Sequence, residues 1–252
     1  MNKLFHILIF FYSLSLTAQV VNIESMRVQS DSIRFVSINE LSTWYEDNNG
    51  QYIFSNAISS TNQLRSKNLR HAILLLGNYN TISSFQGNLQ SSWLGHLRYS
   101  NKLSSEISLE TFGQYSGNAI LDVSQRILGG LGIRIELASY DNFKFYVGNS
   151  YLIEFENNNT SDISLVNHRN NLFISSSLIL GDKLVEINNT IYWQPKYNDI
   201  SNFNILEQLK SSFKIKNNLS LFLLLDYYYD SITPLLRKQY YFSTKFGVSL
   251  KI

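Results

Sequence analysis

The sequence predicts an all-β protein, a transmembrane antiparallel β-barrel of about twelve strands that occupies residues 33–252. Three observations carry this. Hydrophobicity alternates with a period of two from about Ile33 onward, turn-forming clusters recur at strand-length intervals, and the chain finishes on an alternating segment that ends at Ile252.

The first 32 residues stand apart from that pattern. Met1 to Gln19 carry Lys3, an apolar run from Leu4 to Leu16, and then Thr17-Ala18-Gln19, which reads as a signal peptide over residues 1–18 cleaved after Ala18. An apolar run of about 13 residues, interrupted by Ser13 and Ser15, is shorter than the roughly 20 a spanning helix needs. No later stretch is apolar for long enough either, so membrane residence requires a closed barrel. Residues 19–32 then form a short periplasmic lead-in.

The alternation is clearest from Leu121 to Leu137. Odd positions read Leu121, Val123, Gln125, Ile127, Gly129, Leu131, Ile133, Ile135 and Leu137, while even positions include Asp122, Ser124, Arg126, Arg134 and Glu136. Phe143, Phe145 and Val147 against Lys144, Tyr146 and Gly148 repeat it, as do Ile153 and Phe155 against Glu154 and Glu156, and Phe213 and Ile215 against Lys214 and Lys216. Leu219, Leu221, Leu223 and Leu225 form another apolar face.

A soluble sandwich also alternates, so the breaks must decide. Clusters at Asn48-Asn49-Gly50, Arg65 to Asn68, Asn78 to Gly87, Ser100-Asn101-Lys102, Gly117-Asn118, Tyr140-Asp141-Asn142, Asn157 to Asp162, Gly181-Asp182-Lys183, Pro195 to Ile200, Lys216-Asn217-Asn218 and Asp230 to Lys238 cut the chain into twelve strand-length pieces. With both termini periplasmic, long and short connections should alternate, and from the third break onward they largely do in the sequence. The last strand sets Tyr240, Phe242, Phe246, Val248, Leu250 and Ile252 on one parity. Its Lys245-x-Gly247-x-x-Leu250-x-Ile252 resembles the C-terminal signal by which outer-membrane barrels are recognised for insertion, with Ile in place of the usual final Phe.

Composition removes several function classes. A net charge of +2 with scattered Lys and Arg gives no field for nucleic acid. Absence of Cys excludes disulfides, thiolate metal sites and an acylated N-terminal Cys. Charged residues at 16% and aromatics at 14%, with Asn and Ser in short clusters, form a strand-and-turn vocabulary.

His96-Leu97-Arg98-Tyr99, Glu110-Thr111-Phe112-Gly113-Gln114-Tyr115, Arg126-x-Leu128-Gly129-Gly130-x-Gly132-x-Arg134, Tyr146-x-Gly148-x-x-Tyr151-x-x-Glu154-x-Glu156 and Tyr192-Trp193-Gln194-Pro195 occur in that order. As an ordered set over residues 20–252 they resemble the YdiY-like family of salt-induced outer-membrane proteins, a domain family of unknown function. The resemblance implies an outer-membrane barrel and brings no catalytic residues. The leader's ending and the Asn-rich style resemble proteins of Bacteroidetes-type bacteria.

Beyond the leader the histidines are His71, His96 and His168, and none has a second ligand at metal-binding spacing. No metal, cofactor or catalytic residue is therefore expected. The enzyme alternative is a lipid-modifying barrel resembling outer-membrane phospholipase, but that family's His-x-Ser-Asn-Gly stretch is absent. If the apolar parity meets lipid, then Glu106, Glu110, Arg126, Arg134, Glu136, Lys144, Glu154, Glu156, Lys214 and Lys216 point into the lumen. There they either pack as a polar filling or line a narrow small-solute pore, because a twelve-stranded interior is tighter than that of larger porins. Trp44, Tyr45, Tyr99, Tyr151, Trp193 and Tyr227 to Tyr229 are expected at the membrane interfaces. The expected function is thus non-enzymatic: a narrow pore or a structural envelope barrel tied to osmotic or salt stress. The expected partners are outer-membrane lipid, the barrel-assembly machinery during biogenesis and small solutes.

Overall fold

The computed structural model describes Arg27 and residues 33–48, 51–84, 90–119, 123–158, 164–232 and 240–252. The signal peptide and all of the lead-in except Arg27 lie outside the described residues. Twelve strands follow in order: β1 (Phe35–Asn48), β2 (Gln51–Arg65), β3 (His71–Ser84), β4 (Gln90–Lys102), β5 (Ile107–Asn118), β6 (Val123–Ser139), β7 (Phe143–Asn158), β8 (Ser164–Leu180), β9 (Val185–Lys196), β10 (Asp199–Lys214), β11 (Leu219–Asp230) and β12 (Tyr240–Lys251). Each pairs antiparallel with its chain neighbours, and β1 pairs with β12, so the sheet closes into a barrel with no free edge.

Closure is the shortest joint. β1 and β2 pair from Phe35/Leu64 to Asn48/Gln51, whereas β1 and β12 pair only from Ile38/Lys251 to Thr43/Phe246. Past that ladder, Ser37 N–H donates to the Ile252 carbonyl at 2.9 Å and Ile252 N–H donates to the Ser37 carbonyl at 2.8 Å. Of the insertion-signal residues, Lys245 faces inward and pairs with Asp226 at 3.3 Å, while Leu250 and Ile252 are exposed on the outer face. Gly247 faces inward, where an added Cβ would lie 2.4 Å from Phe222 Cζ and 2.5 Å from the Leu41 carbonyl oxygen.

The outer face is apolar. Leu41, Ile58, Leu75, Leu97, Leu131, Ile133, Phe155, Ile174, Leu221 and Phe246 are among the exposed large side chains. A soluble fold has no reason to present so wide a band to water. On β1 and β2 the band is interrupted by Ser37, Asn39, Ser60 and Asn62, which sit on adjacent rungs of the ladder.

Three expectations change. The strands run 12 to 17 residues, longer than the roughly 9–11 that cross a bilayer. They absorb segments read as loops: Asn78 to Ser84 belongs to β3, Asn157 to β7, and only residues 197–198 separate β9 from β10. Antiparallel pairing uses backbone groups, so polar side chains do not stop it beyond the bilayer. Long and short connections consequently do not alternate, and only the β11–β12 connection, 231–239, is distinctly long. Second, Val123, read as part of the outward apolar face, is 2% exposed, because the ladders shift register between Val123 and Gln125 and between Ser116 and Asn118. Third, the aromatic girdle is partial. Tyr99, Tyr151, Trp193 and Tyr227 are exposed on the outer face, whereas Tyr228 turns inward at 4% exposure and Trp44 shares the parity of inward Ser42. The side chain of Tyr45 is outside the described set.

The close approach at Gly247 predicts that Gly247→Leu removes the folded form, seen as loss of the faster-migrating unheated band on a denaturing gel. Gly95→Ala, whose new Cβ would meet nothing nearer than the Tyr115 carbonyl oxygen at 3.9 Å, keeps that band.

Candidate functional site in the barrel lumen

The alternation that places oil outside places a mixed set of residues inside, and they sort into three levels. At the end where β1 begins and β12 finishes, Glu110 on β5 is 4% exposed. Its Oε1 accepts from Arg27 Nη1 at 2.6 Å and from Ser100 Oγ at 2.9 Å, and its Oε2 accepts from Arg98 Nη1 at 3.0 Å. The Arg98 guanidinium lies 4.9 Å from the centre of the Phe112 ring, and that of Arg134 lies 3.5 Å above the Tyr146 ring. A small recess opens beside this cluster, lined by Arg27, Arg65, Arg134 and neighbours on the β2–β3 and β4–β5 turns.

Toward the opposite, distal end, Arg126 on β6 reaches across to β7. Its Nη2 and Nε donate to Glu156 Oε2 at 2.6 and 3.0 Å, and its Nε lies 3.7 Å from Glu154 Oε2. Asn167 Nδ2 donates to Glu154 Oε1 at 3.0 Å. Arg169 on β8, 0% exposed, donates from Nη1 to the Gln194 carbonyl at 3.0 Å. Gln194 Nε2 continues the chain to Asn171 Oδ1 at 2.7 Å, and Asn171 Nδ2 to Ser150 Oγ at 2.9 Å. A second recess is lined by Trp93, Asn118 and Arg126.

Between these levels apolar side chains pack among buried polar ones such as His96, Gln114, Thr190 and Gln208. Phe112, Phe173 and Phe222 each stand directly across the ladder from a glycine: Gly130, Gly148 and Gly247. A Cβ at Gly130 would lie 2.4 Å from Phe112 Cζ, and one at Gly148 2.2 Å from Phe173 Cε1. The glycines therefore supply the space in which the rings lie flat against the wall. Around them pack Leu74, Leu76 and Leu94, then Leu128 with Leu152, then Tyr192, Leu206 and Tyr228. Leu76, Leu128 and Leu152 are each 1% exposed, so this waist excludes water in the conformation described. Lys210 on β10 pairs with Glu40 on β1, two strands that are not neighbours, so this ion pair bridges across the interior.

Of the residues singled out from sequence, Glu110, Arg126, Arg134, Glu154 and Glu156 are buried inside. Arg126, Glu154 and Glu156 form one cluster, and Glu110 and Arg134 belong to the other end. Glu136 and Lys144 are half-buried, Glu136 on the wall of the recess that Arg65 and Arg134 also line. Glu106 is exposed in the β4–β5 turn, Lys216 is exposed in the β10–β11 turn, and Lys214 is exposed at the last residue of β10, so these three lie at the rim rather than within the lumen. Sequence reasoning missed Arg27, Arg98, Arg169 and the Glu40–Lys210 pair. Arg98 was within reach, since His96 and Arg98 alternate with Leu97 and Tyr99. Arg27 was not, because a lead-in has no periodicity to read.

Among the described residues no histidine sits beside a serine nucleophile. His71 and His168 face outward, where their rings hydrogen-bond the hydroxyls of Tyr99 and Tyr151. His96 is buried against Phe112, with ring centres 5.7 Å apart. Among the described residues no serine hydroxyl bonds a histidine ring, and no three His, Asp or Glu side chains converge as metal ligands.

No family model matches the chain, and no curated protein matches it. Solved structures do. The NanC porin superposes with a TM-score of 0.57 at 10% identity, covering 85% of this chain and 100% of that one. The KdgM porin gives 0.47 at 12% identity, covering 85% and 97%, and a bacterial polysaccharide outer membrane secretin gives 0.46 at 6%, covering 89% and 99%. At such identities the NanC likeness speaks to the fold. Together with the apolar exterior and the closed ladder, it makes this chain a transmembrane β-barrel of the bacterial outer membrane.

Removing one member of the Arg126 cluster leaves buried charge uncompensated. Arg126→Met should therefore destabilise the barrel by about 3–5 kcal/mol. Denaturant unfolding in detergent measures this, and adding Glu154→Gln and Glu156→Gln to the same chain should restore most of the loss.

Proposed function

We propose that this barrel is a narrow passage for small polar solutes, closed at its waist in the conformation described, and that it performs no chemistry. The observation that supports the reading is the charge buried along the wall. Arg65, Arg98, Arg126, Arg134, Arg169 and Lys210, with Glu110, Glu154, Glu156 and Asp230, are all buried inside. As filling, such groups are a poor choice: apolar residues of similar volume fill a barrel at equal or lower free energy. As the lining of a water path they are what a solute needs after leaving bulk water. The names of the similar structures, two of them porins, point the same way.

The waist has to move for solute to pass. Among the described residues it is built from leucine, phenylalanine and tyrosine side chains of the strands, so rotamer changes rather than unfolding would open it. The ends of the barrel at Phe35 and Lys251 face the periplasm in this reading, which sets the recess lined by Arg65 and Arg134 at the periplasmic mouth. A second reading, a structural barrel that stiffens the envelope under osmotic stress, is favoured by the same waist, since Leu128 and Leu152 are 1% exposed. The ordered motifs that resemble the YdiY-like family suit either reading.

Planar-bilayer recording separates them. The passage reading expects small, brief conductance steps from the folded protein, and larger or longer ones from Leu128→Ala/Leu152→Ala, which trims the waist without touching a charge. If both the wild type and the trimmed variant stay silent while migrating as folded barrels, the passage is removed and the structural reading stands.

A further inference from the structure

We infer that the outer face of β1–β4 is a contact surface for a second copy of this chain, the two barrels pairing about a two-fold axis along the membrane normal. Such a pair forms whether or not the lumen conducts. Two features of that face serve no purpose within one barrel.

The first is polarity where lipid tails should be. Ser37 and Asn39 lie on β1 between exposed Phe35 and Leu41, and Ser60 and Asn62 lie on β2 between exposed Ile58 and Leu64. The polar group is therefore enclosed by the apolar band along both strands. Among the described residues, Asn39 Nδ2 donates to Ser37 Oγ and Asn62 Nδ2 donates to Ser60 Oγ, both at 3.2 Å. Those bonds use the amide nitrogens and leave both amide oxygens facing a medium that offers no donor.

The second is empty space. Asn39 stands opposite Ser60, Ser60 opposite Gly77 and Gly77 opposite Gly95, so one row of small side chains crosses four strands. The row is a trough roughly 14 Å long at the usual inter-strand spacing. Leu41, Ile58, Tyr79 and Trp93 form the ridge on one side, and Leu75 and Leu97 stand on the other. Gly77 and Gly95 are exposed, and an added Cβ would meet nothing within 4 Å at Gly77 and nothing nearer than 3.9 Å at Gly95. Gly130, Gly148 and Gly247 make room for rings of their own barrel, whereas these two make room outside it. A glycine within a strand weakens it, and what it permits in return is the close approach of another surface.

A second copy answers both features, and lipid answers one. An acyl chain would fill the trough but bring neither donor nor acceptor to the asparagines. Two barrels inserted in the same orientation carry Asn39, Ser60 and Asn62 at the same depth, so the two-fold axis sets this polar group against its own copy. A carboxamide both donates and accepts, which makes the patch its own complement. Between proteins in lipid no hydrophobic effect drives contact, and close packing at small residues with interfacial hydrogen bonds takes its place.

Sedimentation equilibrium of the detergent-folded full chain tests this, and dimers are expected. Gly77→Leu/Gly95→Leu, which fills the trough outward, should keep the faster-migrating unheated gel band and raise the dimer dissociation constant by about tenfold or more. Asn39→Leu/Asn62→Leu should weaken the dimer similarly while making the surface more apolar, the reverse of what non-specific adhesion would give. The chain has no Cys, so Ser60→Cys supplies a single thiol. Its oxidation in phospholipid liposomes should yield a disulfide-linked dimer, and that of Ile174→Cys, exposed on β8 across the barrel, should not. Wild-type protein that is monomeric in detergent, with a Ser60→Cys variant that stays unlinked in liposomes, overturns the inference. A dimer that every folded double variant leaves unchanged, or equal linking at Ser60→Cys and Ile174→Cys, overturns it too.

Discussion

A twelve-stranded barrel leaves little room between facing walls, and the way this one spends that room governs everything inside it. Three phenylalanine rings lie against the wall only because the cross-strand partner of each is a glycine: Phe112 over Gly130, Phe173 over Gly148, Phe222 over Gly247. A methyl group at any of these glycines would occupy the ring's own volume. Each ring in turn packs with the side chains of its own stretch of wall, Phe112 against Leu128 and Leu152, and Phe173 with Tyr192, Leu206 and Tyr228. The waist is thus a packing solution between strands, specified two residues at a time.

Charges arrange themselves around that waist. Because it excludes water, ionic groups on either side must find partners on the wall, and they do so over short distances: Arg98 and Arg27 on Glu110, Arg126 on Glu156 and Glu154. Inside a low-dielectric enclosure desolvation offsets the stronger attraction within each pair, whereas a broken pair leaves a buried charge uncompensated and costs far more than at a surface. Lys210 and Glu40 add a brace across the interior. The lumen is consequently both the costliest part of the fold and the part in which the proposed passage is written. The same economy of space explains Gly247. Within a C-terminal pattern that resembles an insertion signal, it is also the residue that admits Phe222 next to the closing seam.

Much of this architecture was legible beforehand because a strand's side-chain period is two and the bilayer demands one apolar parity. From that rule came the twelve strands, their antiparallel meander, and the inward aim of Glu110, Arg126, Arg134, Glu154 and Glu156. The rule fails where both parities are apolar. In β3, Ile73, Leu74, Leu75 and Leu76 run consecutively, and nothing in their order says that Leu74 and Leu76 turn inward while Ile73 and Leu75 meet lipid. In β11, Phe222 and Leu224 hide behind the more obvious stripe of Leu221 and its neighbours. Bulges defeat it too, as at Val123, since one extra residue reverses every parity beyond it.

By itself, then, the sequence determined which face of each regular strand meets lipid, how many strands there are, and that the polar face encloses something, because local alternation and turn chemistry are properties of neighbouring residues. What stands opposite what across the lumen depended on the register of all twelve strands and on closure between β1 and β12. Only the tertiary structure could bring Lys210 to Glu40, Arg27 to Glu110 and each ring to its glycine. These partners are distant in sequence or carry no periodic signature, and it is the curvature of the closed sheet that makes them meet.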